Sequence, residues 1–174
     1  MSVAAFDAWA DGSLERFRGN RFAAKLFTSA SALGDFSLIW LLIAATRGLT
    51  SDLRANQAFV LFGLIAAESL IVNQGIKRLF RRTRPTEAGD ERYRVRRPAT
   101  SSFPSGHASS AFFSSTVLTY WSGIAWTPAW LVVATIVSLS RVYVRIHHTS
   151  DIVAGAVVGV ALGAGAIAAL QAFS

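Results

Sequence analysis

The chain contains no cysteine. Disulfide bridges, thiolate catalysis and cysteine-ligated zinc are therefore excluded. Charge is also scarce: only 16% of residues are Asp, Glu, Lys or Arg, against about 25% in a soluble globular domain. Apolar residues make up 52%, so the balance points to a membrane protein before any one segment is considered. Acids are scarcer than bases, 10 against 17, which leaves a net charge of +7. Such an excess suits nucleic acid, an anionic membrane surface or a phosphorylated substrate. No nucleic-acid motif accompanies it, so the last two readings lead. Residues 1–20 hold Asp7, Asp11 and Glu15 and lack the apolar core of a secretory signal. The first apolar stretch, from near Phe27, is therefore expected to remain in the mature protein. No internal repeat is evident, and 174 residues suit one domain, 1–174.

What the chain does have is a series of long apolar runs. Ahead of them, residues 4–26 mix apolar and charged positions, with Phe6, Trp9, Leu14, Phe17 and Phe22 able to share a face. This predicts an N-terminal amphipathic helix within 1–27, broken near Gly12 and lying in the headgroup region, or an ordinary amphipathic lead-in. Spans are expected at about 28–46, with Asp35 near its start, and at about 56–76, with Glu68 and Asn73 inside. Residues 77–104 then turn polar and hold nine Lys or Arg. From Ala108 to Ser140 no residue is charged. As one helix at about 1.5 Å per residue this stretch would reach about 50 Å, too long for a bilayer core of about 30 Å. Ser122-Gly123 and Thr127-Pro128 supply a break, giving a hairpin of about 106–121 and 128–143. Trp121, Trp126 and Trp130 lie at its turn, where an aromatic belt would sit. A last span at about 152–172 carries small-xxx-small steps at Gly155, Gly159 and Gly163, which allow close helix packing. The expected fold is all-α: an integral membrane helical bundle of about five transmembrane helices plus the N-terminal amphipathic helix. Counting crossings puts the N-terminus, the 77–104 loop and the 141–151 turn at one membrane face.

Three short segments share that face. They are Lys77-Arg-Leu-Phe-Arg-Arg-Thr-Arg84-Pro85, Pro104-Ser105-Gly106-His107, and Ser140-Arg141 followed by His147 and Asp151. The residue types suit a phosphate dianion, which needs cations and oriented N–H donors around its oxygens. Lys77, Arg84 and Arg141 can supply charge. Ser105 and Gly106 precede an apolar helix, whose N-terminal N–H groups can face an anion. Two histidines from separate segments can serve as nucleophile and acid.

Together the segments resemble the K-x6-R-P, P-S-G-H and S-R-x5-H-x3-D signature of the type 2 phosphatidic-acid phosphatase family, which shares its catalytic core with vanadium-dependent haloperoxidases. All eleven fixed positions match in order, within 77–151. The resemblance implies hydrolysis of a lipid phosphate with no metal and no cofactor. It assigns His147 as nucleophile through a phosphohistidine, with Asp151 bonded to its other ring nitrogen. It assigns His107 as proton donor to the leaving oxygen and then as helper of the attacking water. Pro85, Pro104, Ser140, His148 and Asp35 are candidates for supporting roles. Arg78, Arg81, Arg82 and Arg145 fall outside the motif and are expected at lipid headgroups or as anchors.

Away from the motif cations, the active face carries Arg16, Arg18, Arg21, Lys25, Arg78, Arg81, Arg82, Arg92, Arg94, Arg96, Arg97 and Arg145, while the other face has Arg47 and Arg54. The positive-inside rule then predicts a cytoplasmic active site in a bacterial inner membrane. Expected partners are membrane lipids and a lipid phosphate: phosphatidate, phosphatidylglycerol phosphate or a polyprenyl-linked phosphate or diphosphate. A lipid-linked phosphotransferase and a catalytically inactive lipid-binding protein are the alternatives. No feature of the sequence fixes an oligomeric state.

Overall fold

The structure, a computed structural model, describes residues 1–88, 93 and 100–173. Arg92, Arg94, Arg96 and Arg97 of the predicted basic face lie outside the described residues. Seven α-helices are described: α1 Val3–Arg18, α2 Arg21–Gly34, α3 Leu38–Gly48, α4 Asp52–Leu70, α5 Gly106–Ser122, α6 Thr127–Tyr143 and α7 Thr149–Ala172. No strand occurs among the described residues.

Local chemistry sets most of the helix starts. Ser2, Asn20, Ser51 and Ser105 each accept a hydrogen bond from a backbone N–H in the first turn of α1, α2, α4 and α5, satisfying donors a helix start leaves orphaned. Pro128 sits in the first turn of α6, where its missing N–H costs nothing.

The predicted break near Gly12 is instead at Gly19–Asn20. One glycine inside a helix costs only about 1 kcal/mol against alanine, whereas the Asn20 side chain accepts from both Phe22 and Ala23 N–H and starts a new helix there. The N-terminal helix thus ends at Arg18, and residues 21–27 belong to the first long apolar segment. That segment, Arg21–Gly48, is kinked at Asp35–Ser37, where Phe36 and Ser37 take left-handed φ of 54° and 60°.

Among the described residues, four segments are long and apolar enough to cross a membrane: Arg21–Gly48, Asp52–Leu79, Ile124–Tyr143 and Thr149–Ala172. The fifth expected span, α5, has 17 residues. It runs up the middle of the bundle, and Ser109, Ser110, Ser114 and Ser115 on it are buried. Lipid therefore meets mainly the outer helices, and α5 can carry hydroxyls inside the protein.

The main core joins Trp40, Leu61, Ile65, Phe113, Val117, Leu118, Ala134 and Val137 from α3 to α6. The glycine steps of α7 face α5. A Cβ on Gly155 would stand 2.5 Å from the Ser105 carbonyl oxygen, and one on Gly159 would stand 2.2 Å from that of Ser109. The small residues therefore serve packing within one chain. At the far end the Trp126 and Trp130 rings stack at 5.9 Å, and Trp130 Nε1 donates to Ser122 Oγ.

The N-terminal helix does not bury its apolar side. Val3, Trp9 and Phe17 are exposed, while Asp7 and Arg18 are buried. The inward stripe is Asp7, Asp11, Leu14 and Arg18, at helical spacing. Arg18 donates to the Tyr143 and Val142 carbonyl oxygens and pairs with Asp11 and Glu15. The helix is thereby pinned across the end of the bundle.

Candidate active site

The three motif segments meet at that end. Beyond α4 the chain continues as a π turn, Ile71–Gly75, and a 3-10 turn, Ile76–Leu79. These bring Lys77 inward, where it is buried. The chain then runs extended to Arg84, also buried. Arg84 Nη1 donates to the Ile146 carbonyl oxygen and stands 3.3 Å from His147 Nε2. Its Nη2 donates to the Thr100 and Ser101 carbonyl oxygens. The guanidinium is thus fixed beside the imidazole.

Pro104 and Ser105 are buried at the start of α5. Ser105 Oγ accepts from Ala108 N, and Ser105 N donates to the Asp151 carbonyl oxygen at 3.0 Å. The Ser105 N–H expected to face an anion is therefore already engaged, and it ties α5 to α7. Gly106 lies under Lys77: a Cβ there would stand 3.0 Å from Asn73 Oδ1 and 3.6 Å from Lys77 Nζ.

In the third segment Arg141 is buried in α6 and its Nη1 donates to Ser31 Oγ. The chain reverses after Tyr143 through Arg145, which has φ 59°. Ile146 N and His147 N both donate to the Arg141 carbonyl oxygen. This turn points the buried His147 inward, with Nδ1 3.4 Å from Asp151 Oδ2. The carboxylate needs a donor, so the Nδ1–H tautomer fits and leaves the Nε2 lone pair facing Arg84. His107 lies across the site with Nε2 3.0 Å from Asp35 Oδ1, and the same oxygen is 3.9 Å from Arg141 Nη1.

A cavity of about 330 Å³ is lined by Lys77, Gly106, His107, Arg141 and His147, together with Glu68, Asn73 and Phe36. Glu68, inside the second expected span, is buried and accepts from Ser109 Oγ. The supporting candidates divide. Asp35 reaches the site residues directly. Ser140 Oγ donates to the Val137 carbonyl oxygen within its own helix. His148 N donates to Asp151 Oδ2, and His148 and Pro85 line a second cleft that shares His147 with the site cavity. Arg82 departs from its expected place at lipid headgroups: it is bonded to Asp151 and Asp7. Sequence reasoning missed Asp7 as well, because nothing local distinguishes it from Asp11.

The sequence profile of the PAP2 superfamily matches residues 58–174, which is most of the chain and includes all three segments. The chain belongs to the PAP2 superfamily. It is an integral membrane protein and a lipid phosphatase. Among curated relatives, the decaprenylphosphoryl-5-phosphoribose phosphatase of Mycobacterium tuberculosis is 30% identical over 135 residues, covering 77% of this chain and 73% of that protein. The protein of the same name from Mycolicibacterium smegmatis is 31% identical over 133 residues, covering 75% and 71%. Among solved structures, the transmembrane PAP2-type phosphatidylglycerolphosphate phosphatase of Bacillus subtilis superposes with a TM-score of 0.70 at 20% identity, over 96% of this chain and 87% of that one. Aquifex aeolicus LpxE gives 0.68 at 21%, over 90% and 93%. These two likenesses concern the fold.

Burial, which the sequence could not weigh, decides the state of His147. It pushes the imidazole down to about 3, with Arg84 and Arg141 adding to the effect and Asp151 opposing it. The ring is therefore neutral near pH 7. Below its ordinary value of 6.5 the unfolded chain takes up a proton that the native state refuses, so stability falls as pH drops from there toward 3. Asp7 adds to the fall at lower pH. Burial alone would raise it, but hydrogen bonds from Ser150 and Arg82 outweigh burial and hold it below the ordinary carboxylate value. The unfolding midpoint in detergent should drop between pH 7 and pH 4, and drop less in His147→Gln. Equal drops in both proteins would contradict this account.

Proposed function

We propose that the chain removes a phosphate monoester from a polyprenyl-linked sugar phosphate, with His147 as nucleophile. The observation that carries the mechanism is the convergence of a neutral buried imidazole with three cationic side chains and a second histidine. Substrate class is supported by the names of the relatives, which match about three quarters of the chain.

In this reading Lys77, Arg84 and Arg141 hold the phosphate oxygens and offset the charge that develops on them. The Nε2 lone pair attacks phosphorus, and the ester P–O bond breaks. His107, which takes up its proton once the phosphate dianion is bound beside Asp35, gives it to the leaving sugar oxygen. Asp151 takes the hydrogen bond of Nδ1–H and steadies the ring as it becomes cationic. His107, now neutral, accepts a proton from water whose oxygen attacks the phosphohistidine. The P–N bond breaks, Nε2 recovers its lone pair and inorganic phosphate leaves. Asp35, against His107 Nε2, holds that ring in place.

The charge bias supports a site facing the cytoplasm of a bacterial inner membrane. Inside-out vesicles should then hydrolyse an added impermeant substrate and right-side-out vesicles should not. The reverse pattern would move the site to the outer face.

The deciding assay is phosphate release by purified protein in detergent with EDTA. The panel is decaprenylphosphoryl-ribose 5-phosphate, phosphatidylglycerol phosphate, phosphatidate and a polyprenyl diphosphate. Fastest release from the first is expected. Preference for another substrate would overturn the substrate class, and no release from any would overturn the reading.

A further inference from the structure

The segment of α1 lies outside the residues matched by the family profile, yet it reaches the catalytic pair. Arg82 is the link. Its backbone is fixed on both sides, with its N–H donating to Ser101 Oγ and its carbonyl accepting from Ser102 N. Its Nη1 donates to Asp151 Oδ1 at 2.6 Å and to Ser150 Oγ at 2.7 Å. Its Nη2 donates to Asp7 Oδ2 at 2.6 Å. Asp7 in turn accepts from Ser150 N and Ser150 Oγ, both at 2.8 Å. A continuous chain therefore runs from α1 through Asp7, Arg82 and Asp151 to His147.

We propose that Asp7 and Arg82 are positioning residues for the phosphatase reaction, holding Asp151 and through it the His147 ring. The proposal rests on the reading of His147 as nucleophile. Asp151 is fully buried, and its two oxygens have separate tasks. Oδ2 faces the His147 ring and the His148 N–H. Oδ1 is held by Arg82, so the carboxylate cannot rotate away from the imidazole without breaking a charge-assisted bond. A guanidinium beside Asp151 alone would compete with His147 for its negative charge. Asp7 shares the guanidinium from the other side and leaves Asp151 able to accept from Nδ1–H. Removing Arg82 would leave two buried carboxylates near each other with no cation between them.

The location of Asp7 gives α1 a purpose. Its outer side, Val3, Trp9 and Phe17, is exposed, while its inner side clamps the turn that carries the nucleophile.

The test uses the full-length protein in detergent with decaprenylphosphoryl-ribose 5-phosphate. For Arg82→Gln, kcat should fall 10- to 100-fold, about the cost of misplacing a reacting group by 1 Å, with KM within about twofold. Asp7→Asn should lower kcat severalfold in the same way. The double variant should be no worse than Arg82→Gln, since Asp7 acts through Arg82, and Arg82→Lys should recover part of the loss.

A second readout is independent of turnover. The ¹⁵N signals of His147, assigned by His107→Gln and His148→Gln, should show one Nδ1–H tautomer in wild type and a tautomer mixture in Arg82→Gln. If wild type releases no phosphate but the tautomer shifts, the positioning stands and the proposed function falls. Should Asp7→Asn not accumulate, Ser150→Ala, which removes the shared hydroxyl, should show a smaller kcat loss. A raised KM with unchanged kcat would make Arg82 a headgroup contact and overturn the proposal. So would an unchanged tautomer together with unchanged kinetics.

Discussion

Replacing His147 with alanine is expected to lower phosphate release by about 10⁴-fold or more, the scale at which removing a nucleophile acts when its site is otherwise intact. Adding EDTA to the wild type should change nothing. The expectation follows from geometry: Nε2 is 3.3 Å from the Arg84 guanidinium, and Nδ1 is 3.4 Å from Asp151. One nitrogen is thus held while the other faces the cations that would carry the phosphate. His147→Gln keeps more of the volume and should be as inactive, which separates chemistry from packing. Brief incubation with ³²P-labelled substrate and rapid denaturation should trap an acid-labile, base-stable phosphoprotein in wild type and none in either variant. Release that survives in both variants would move the nucleophile elsewhere.

Gly159→Val should be the most destabilising single change in α7. The new Cβ would stand 2.2 Å from the Ser109 carbonyl oxygen and 2.9 Å from Phe113 N. Both are backbone atoms of α5, so no side chain can swing aside. Overpacking of this kind costs about 3 kcal/mol or more when the backbone itself must move. The effect should reach the site, because α7 carries Asp151 and the Asp151 carbonyl accepts from Ser105 N. The unfolding midpoint and phosphate release should fall together. Gly165 is the control: a Cβ there meets nothing within 4 Å, and Gly165→Ala should keep activity and stability. If Gly159→Val behaved like Gly165→Ala, the close approach of α5 and α7 would be wrong.

Period and length made the spans legible. The break between α5 and α6 was readable because Gly123 and Pro128 interrupt an uncharged run too long for one crossing. The break between α1 and α2 was misread because glycine is the more visible residue, while a cap works through a side-chain oxygen and the N–H groups after it. The motif residues stood out because their order and spacing resemble the family's three-part signature, each fixed against a neighbour in the same segment. Asp35 was visible only as an acid in an apolar stretch, and its partner His107 is far along the chain.

By itself the sequence determined what is periodic, local or compositional: a helical membrane bundle, the segments that cross it, and the residue types able to bind and attack a phosphate. Tertiary structure decided what depends on which groups meet. It buried His147 far enough that burial outweighs Asp151 in setting its charge. It turned the polar stripe of α1 inward, and it took Arg82 from the expected lipid surface to Asp151 and Asp7. The physical reason is that a charge's energy depends on the water it loses and the partners it gains. Both are set by segments 69 and 75 residues away from Arg82, a distance over which no spacing rule operates.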